Sequence, residues 1–274
     1  MDNSLPPLLM GILNATSDSF ASNKRPATID GGLEMIAHGA AILDIGGEST
    51  RPGAEPVPAD EERRRVLPLI EGLAGRGAAI SIDTRNASTM AAALDAGAEI
   101  VNDVSGLTFD EAAASLVAER QCRVVLMHSR GTPQTMQALT RYGDVLGEVI
   151  AELLARVAAA TRAGVRREQI ILDPGFGFAK TAEQSLALLA ALDRFVALGF
   201  PILVGVSRKS FVGRFSGAPD VRGRLAGSLA AALFAASKGA AILRVHDVAE
   251  TAEALRMWRV LATGEVAPDC TLDV

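Results

Sequence analysis

Gln169-Ile170-Ile171-Leu172-Asp173-Pro174-Gly175 is an apolar run too short for a helix, and it stops on a carboxylate and a turn. Its residues do not alternate between polar and apolar, so it predicts a strand buried on both faces, as in parallel sheets. Working outward, the same kind of run recurs at 8–13, 41–45, 78–82, 99–102, 123–127, 201–206 and 241–245, which with 169–172 gives eight predicted strands. Helical spacing fills the intervals at 60–73, 87–96, 109–119, 142–163, 182–198, 221–238 and 249–261, with a weaker segment at 33–39 behind Gly31 and Gly32. Gly39, Gly97, Gly164, Gly199 and Gly239 each follow a helical segment, where a left-handed cap wants no side chain. Eight strand–helix units predict an α/β fold, a (β/α)8 TIM barrel forming a single domain over 1–274. A doubly wound open sheet is the alternative. It usually has fewer strands, and no G-x-G-x-x-G turn follows the first one.

Composition narrows the function classes. Hydrophobic residues at 49% against 22% charged describe a globular chain. A net charge of −5 argues against non-specific nucleic-acid binding. No apolar run reaches the roughly 18 residues of a membrane span, and 1–9 lacks the basic start and apolar core of a secretion signal. A cytoplasmic location with no membrane partner is the expectation. Cys122 and Cys270 are then expected to be reduced thiols.

Every predicted strand ends on a polar residue: Asn14, Asp44, Asp83, Asn102 with Asp103, His128, Asp173, Ser207 through Ser210, and Arg244 with His246. In a barrel these ends meet on one rim, where such enzymes place their sites. Each residue also has a plain structural reading. Asp83 and Asn102 could cap the next helix, Asp173 could belong to a turn, His246 could be a bonded rim histidine, and Glu48 a solvated loop charge. Taken together, caps do not ask for Lys, Arg and His at the last two ends. Carboxylates with an amide suit a flat heterocycle rich in N–H donors. Arg51, Arg244 and His246 suit a phosphate group. Residue chemistry alone stops at a barrel enzyme for an anionic, nitrogen-rich, planar substrate.

Long ordered motifs carry a resemblance. They are Gly11-Ile12-Leu13-Asn14, Asp44-Ile45-Gly46-Gly47-Glu48-Ser49-Thr50-Arg51-Pro52-Gly53-Ala54, Ile82-Asp83-Thr84 and Asn102-Asp103-Val104-Ser105-Gly106. Leu126-Met127-His128, Arg130-Gly131-Thr132-Pro133, Asp173-Pro174-Gly175-Phe176-Gly177-Phe178, Ser207-Arg208-Lys209-Ser210-Phe211 and Arg244-Val245-His246-Asp247 complete the set. From Met10 to about Trp258 the chain resembles the dihydropteroate synthases, pterin-binding barrels of folate biosynthesis. The resemblance implies a transferase that joins 6-hydroxymethyl-7,8-dihydropterin pyrophosphate to p-aminobenzoate, giving 7,8-dihydropteroate and pyrophosphate by a dissociative substitution.

It also implies roles. Asp83, Asn102, Val104, Met127, Asp173, Lys209 and Arg244 would form the pterin pocket, with Arg244 stacked on the ring. Thr50, Arg51, Pro52, Phe178, Lys209 and Ser210 would bind p-aminobenzoate, completed by the loop with Phe20. Asn14, Arg244 and His246 would hold pyrophosphate, with Mg²⁺ at Asn14. Asp18, Phe20, Arg51, Asp83, Asp173 and Lys209 would be the catalytic set. Sulfonamides, which mimic p-aminobenzoate, would be inhibitors, and a homodimer with 221–238 as its contact is expected.

The first loop departs from the family. Asp18, Ser19 and Phe20 are kept, but Ala21-Ser22-Asn23-Lys24 stands where the family usually has Ser-Asp-Gly-Gly. Ser129 replaces a usual Met and Ala179 a common Gly, both read as local packing changes. A pterin-dependent methyltransferase and a catalytically impaired pterin-binding paralogue are the alternatives. The 48–52 loop and the 207–210 run favour the synthase.

Overall fold

The computed structural model describes residues 6–15, 27–51 and 53–264. Asp18, Phe20, Pro52, Cys270 and the altered residues after Phe20 lie outside them. Eight strands form one parallel sheet: β1 Leu8–Asn14, β2 Ile42–Gly46, β3 Ala79–Asp83, β4 Ile100–Asp103, β5 Arg123–Met127, β6 Ile170–Asp173, β7 Leu203–Val204 and β8 Ile242–Val245. Their order is β6-β5-β4-β3-β2-β1-β8-β7, and a parallel bridge between Leu172 and Ile202 joins the two outer strands. The sheet therefore closes on itself as a (β/α)8 barrel, not as an open doubly wound sheet.

Helices alternate with the strands: α1 Ile29–Ala37, α2 Ala59–Leu73, α3 Ala87–Asp95, α4 Ala113–Arg120, α5 Val145–Arg162, α6 Ala182–Ala190, α7 Leu192–Val196, α8 Ser210–Ser216, α9 Leu225–Ser237 and α10 Val248–Thr263. The weak segment at 33–39 belongs to α1, which starts earlier because Thr28 Oγ1 accepts from the Gly31 amide at 3.0 Å. The expected helix at 182–198 is two helices that meet at Ala191. At 221–238 the first turn is 3₁₀ and contains Gly223. α8 was not expected; at seven residues it is too short to show a period. The five predicted cap glycines all take positive φ, for example 110° at Gly97.

Strand side chains alternate between lumen and helix layer. Leu43, Ile45, Ile80, Val101, Val124, Leu126, Leu172 and Leu243 pack outward into the large core shared with the helices. Met10, Ile42, Ile100, Val125, Ile171, Leu203 and Ile242 form a second buried cluster, the floor of the lumen. The parity of that floor decides which strand-end residues face the lumen.

Candidate active site

Two residues beyond the floor, on the same face of each strand, stand Asp44 above Ile42, Asn102 above Ile100, Met127 above Val125, Asp173 above Ile171 and Arg244 above Ile242. Asp83 joins them, in register with Gly46 on one side and Asn102 on the other. The period of two thus converts a hydrophobic plug into a polar layer within one step along each strand.

The layer is tightly bonded. Arg244 donates from Nε to Asp44 Oδ2 at 2.6 Å and from Nη2 to Asp83 Oδ2 at 2.7 Å. Asn102 Nδ2 donates to the same Asp44 oxygen at 3.0 Å. Asp44 had no assigned role in the sequence reading, yet it is fully buried and orients both Asn102 and Arg244. Its parity with Ile42 was the available signal. Asp44 Oδ1 and Ser81 Oγ are buried and have no hydrogen-bond partner among the described residues.

Charge is poised here. Burial pushes the Asp83 carboxyl up to about 7, against the pull of Arg244, because two buried carboxylates share one guanidinium. Burial works against the charge of Arg244, but Asp44 and Asp83 overcome it and hold its pKa above the usual range. Burial also raises Asp173, opposed by Lys209, and lowers Lys209 to about 8, opposed by Asp173.

Asp173 takes the turn role as well as the lumen role. Its Oδ1 accepts from the Gly175 amide at 2.7 Å. That turn runs so close to β5 that a Cβ on Gly175 would collide with the His128 carbonyl oxygen, and its φ of +70° suits glycine alone. Lys209 Nζ donates to the Phe176 carbonyl and lies 4.6 Å from the centre of the Phe178 ring. Asp173, Phe178 and Lys209 are thereby brought together.

The remaining predicted residues sit around this cluster. Val104 is half-buried in the turn after β4. Asn14 ends β1, in register with Gly46. His246 Nδ1 lies 3.1 Å from Ser207 Oγ, which also accepts the His246 amide. Ser210 is the exposed first residue of α8. Thr50 and Arg51 ride the loop after β2, half-buried and exposed respectively. That loop is docked on the segment after β5: the Gly53 amide donates to the Pro133 carbonyl at 3.0 Å, and Gln134 Nε2 to the Ala54 carbonyl at 2.9 Å.

The plain structural readings of Asp83, Asn102 and Glu48 can be settled. Asp83 and Asn102 are lumen residues, not caps: Asn86 takes the N-cap position of α3. Glu48 is not a solvated charge. Its carboxylate meets Arg85 at 3.1 Å through two bonds and accepts the Val57 amide at 3.0 Å, pinning both ends of the loop that carries Thr50 and Arg51. Asp103 and His128 end their strands on the outward parity. Asp103 accepts the amides of Ser105 and Leu107, and so builds its own turn. His128 is fully buried and meets Glu152 Oε2 at 3.0 Å.

Glu62 was also missed. It lies on the buried stripe of α2 with Val66, Leu69 and Leu73, and its Oε2 accepts from Thr84, Asn86 and Thr89 at 2.7–3.0 Å. Ala179 is more than a packing change. It holds φ at 49°, where its Cβ is disfavoured and a glycine would not be. Cys122 is buried and free, with burial pushing its thiol up to about 11, as an inert reduced thiol requires.

Residues 10–246 match the family described as pterin binding enzymes. The chain belongs to that family. Within it, the chain is 48% identical over 260 residues to a dihydropteroate synthase of Synechocystis, covering 92% of this chain and 90% of that one. Solved structures agree with the geometry. A dihydropteroate synthase from Thermus thermophilus in complex with 4-aminobenzoate superposes with a TM-score of 0.86 at 46% identity, covering 94% of this chain and 95% of that one. One from Xanthomonas albilineans in complex with 7,8-dihydropteroate gives 0.84 at 40% identity, covering 95% of each chain. The pterin-binding family thus joins the barrel and its polar lumen layer to dihydropteroate synthase relatives that span nearly the whole chain.

Proposed function

We propose that this chain is a dihydropteroate synthase, joining 6-hydroxymethyl-7,8-dihydropterin pyrophosphate to p-aminobenzoate at the rim just described. The observation that carries the reading is the Asp44–Arg244–Asp83 arrangement with Asn102, at the mouth of a lumen sealed below by apolar side chains. Buried polar groups persist when something bonds to them. Asp83, Asn102 and Asp173 offer acceptors and one amide to a heterocycle edge, with Met127 and Val104 as apolar walls. Arg244, pinned at two nitrogens, offers a fixed guanidinium face.

Reaction would begin when the bond between the pterin methylene and the pyrophosphate oxygen breaks and the pyrophosphate takes the electron pair. Arg244 and His246 would take up the growing negative charge. The pterin ring delocalises the methylene cation, and Asp83 and Asp173 favour it. The aniline nitrogen then bonds to the methylene and gives up a proton. Aniline is a weak base already carrying a lone pair at neutral pH, so no nucleophile–His relay is needed. Phe178, Lys209, Thr50, Arg51 and Ser210 would seat p-aminobenzoate, the lysine as a cation beside the Phe178 ring.

The Mg²⁺ expected from the family fits this donor set in one way. Among the described residues no group of three His, Cys, Asp or Glu side chains assembles to hold a metal, while Asn14 offers the hard oxygen that Mg²⁺ accepts beside substrate phosphates. When bound there it would stabilise the leaving pyrophosphate.

A homodimer and a cytoplasmic location belong to the same reading. Val221 and Phe234 stay exposed on the segment expected to form the contact. No helix among the described residues is long and apolar enough to cross a membrane. Enzyme with pterin pyrophosphate and Mg²⁺ but no p-aminobenzoate should release pyrophosphate in a single-turnover assay. Absence of both release and exchange would replace the dissociative path with direct displacement.

A further inference from the structure

On the helix side of β5 and β6, behind the rim, lies a lysine that takes no part in the steps above. Lys180 is 4% exposed. Its Nζ is 2.9 Å from His128 Nδ1, 3.0 Å from the Gly175 carbonyl and 3.0 Å from the Phe178 carbonyl. An ammonium has three N–H donors and no acceptor; these three short contacts match them, and the His128 carbonyl at 3.4 Å is a longer fourth neighbour. His128 Nδ1 accepts only when the ring proton is on Nε2, and Nε2 faces Glu152 Oε2 at 3.0 Å. Burial first, then the Lys180 charge, holds the imidazole neutral with a pKa near the bottom of the scale, about 2. A directed chain of donors therefore runs from Lys180 to His128 to Glu152, and Arg130 anchors Glu152 at 3.0 Å.

The other two bonds of Lys180 close the 175–178 turn from behind. From the lumen side, Lys209 donates to the Phe176 carbonyl and covers the Phe178 ring. Two lysines on opposite faces thus grip the carbonyls of Gly175, Phe176 and Phe178. Ala179, between Phe178 and Lys180, is held in the left-handed region, and Tyr142 Oη donates to its carbonyl at 3.0 Å. The backbone there is disfavoured for alanine, so the turn keeps its shape through these bonds and not through local preference.

We propose that Lys180 is a positioning residue: its buried amino group, bonded to the Gly175 and Phe178 carbonyls, fixes the turn that aims Phe178, and so sets the p-aminobenzoate wall without touching either substrate. The proposal rests on the reading of Phe178 as part of that wall.

Steady-state kinetics with each substrate varied, on wild type, Lys180→Met and Phe178→Ala, test both. Lys180→Met should raise the KM for p-aminobenzoate by roughly tenfold while the KM for pterin pyrophosphate moves by less than about twofold. A role in folding alone would lower thermal stability without splitting the two constants. Where Lys180→Met fails to fold, Glu152→Gln, which weakens the anchor of the His128 tautomer, should show the same split at smaller size. If Phe178→Ala raises the p-aminobenzoate KM and the variants behind the turn do not, Lys180 is not a positioning residue. If Phe178→Ala leaves that KM unchanged, the wall itself is misassigned, and the proposal falls with it.

Discussion

Two layers of the same lumen, one step apart along the same strands, do opposite things. The floor, Met10, Ile42, Ile100, Val125, Ile171, Leu203 and Ile242, is apolar and buried. In the layer above it, Asp44, Asp83, Asn102 and Asp173 are nearly as enclosed, with Arg244 partly exposed among them, yet the layer is charged. Burial of apolar area stabilises the fold at the floor. In the layer above, burial works against ionised groups, visibly so at Asp83, and Arg244 and Asn102 offset part of that penalty by bonding one oxygen of each carboxylate they reach. The floor closes the barrel so that the polar layer can be held dry and aimed.

The sharpest way to break the contrast is to hollow out the floor. Ile100→Ala should cost about 2–5 kcal/mol of stability, measured by denaturant unfolding, since Ile100 is 2% exposed and packed within the floor cluster. Pterin affinity of the folded fraction should not change. A variant that keeps wild-type stability would show that the lower lumen is not close-packed.

One layer up, the pattern should invert. Asp173→Asn removes a raised, buried carboxylate and leaves a neutral amide of the same size. Pterin affinity should fall by about 2–3 kcal/mol, as expected for a lost charge-assisted pairing, while stability holds or rises. The sign follows from burial: a carboxyl raised above its unfolded pKa lowers folded-state stability at neutral pH, and the amide is free of that penalty. Calorimetric titration with the pterin substrate reads the first quantity and thermal unfolding the second. Unchanged affinity would remove Asp173 from the pocket.

The fold was legible because doubly buried strands read as unbroken apolar runs, and all eight runs became strands. β7 came out shorter than 201–206. Pro201 has no amide hydrogen to give, and Ile202, although its carbonyl accepts the Ala241 and Ile242 amides, is tied to β6 by a single bridge to Leu172. The break at Ala191 left no trace, since the buried positions Leu188, Leu189, Leu192 and Phe195 keep helical spacing across it.

The site was legible where its residues carry charge on the lumen parity, as at Asp83, Asp173 and Arg244. It was not legible where a polar residue acts through another. Asp44 looks like one more strand-end acid, and Glu62 like the acidic start of a helix. Lys180, two residues past Phe178, faces away from the lumen. Nothing in residue type separates such groups from ordinary surface charge; only the long-range pairings of the closed barrel do.

A smaller effect marks the boundary between the two sides of the wall. Ala179→Gly should relieve the left-handed strain at φ 49° and stabilise the protein by about 1 kcal/mol, after the extra freedom of glycine in the unfolded chain is deducted. A rise in Tm of a few degrees is the readout. A fall would mean that the buried Ala179 methyl contributes more through packing than its backbone costs.

On the proposed function, the polar lumen layer performs the condensation. The direct measurement is turnover with pterin pyrophosphate, p-aminobenzoate and Mg²⁺, following 7,8-dihydropteroate and pyrophosphate together. Both should form in equal amounts in wild type, and Asp173→Asn should form both far more slowly at a pterin pyrophosphate level that just saturates wild type. Tight binding of the pterin pyrophosphate with no dihydropteroate formed would contradict the proposed function, and would make this barrel a binder of pterins instead of a synthase.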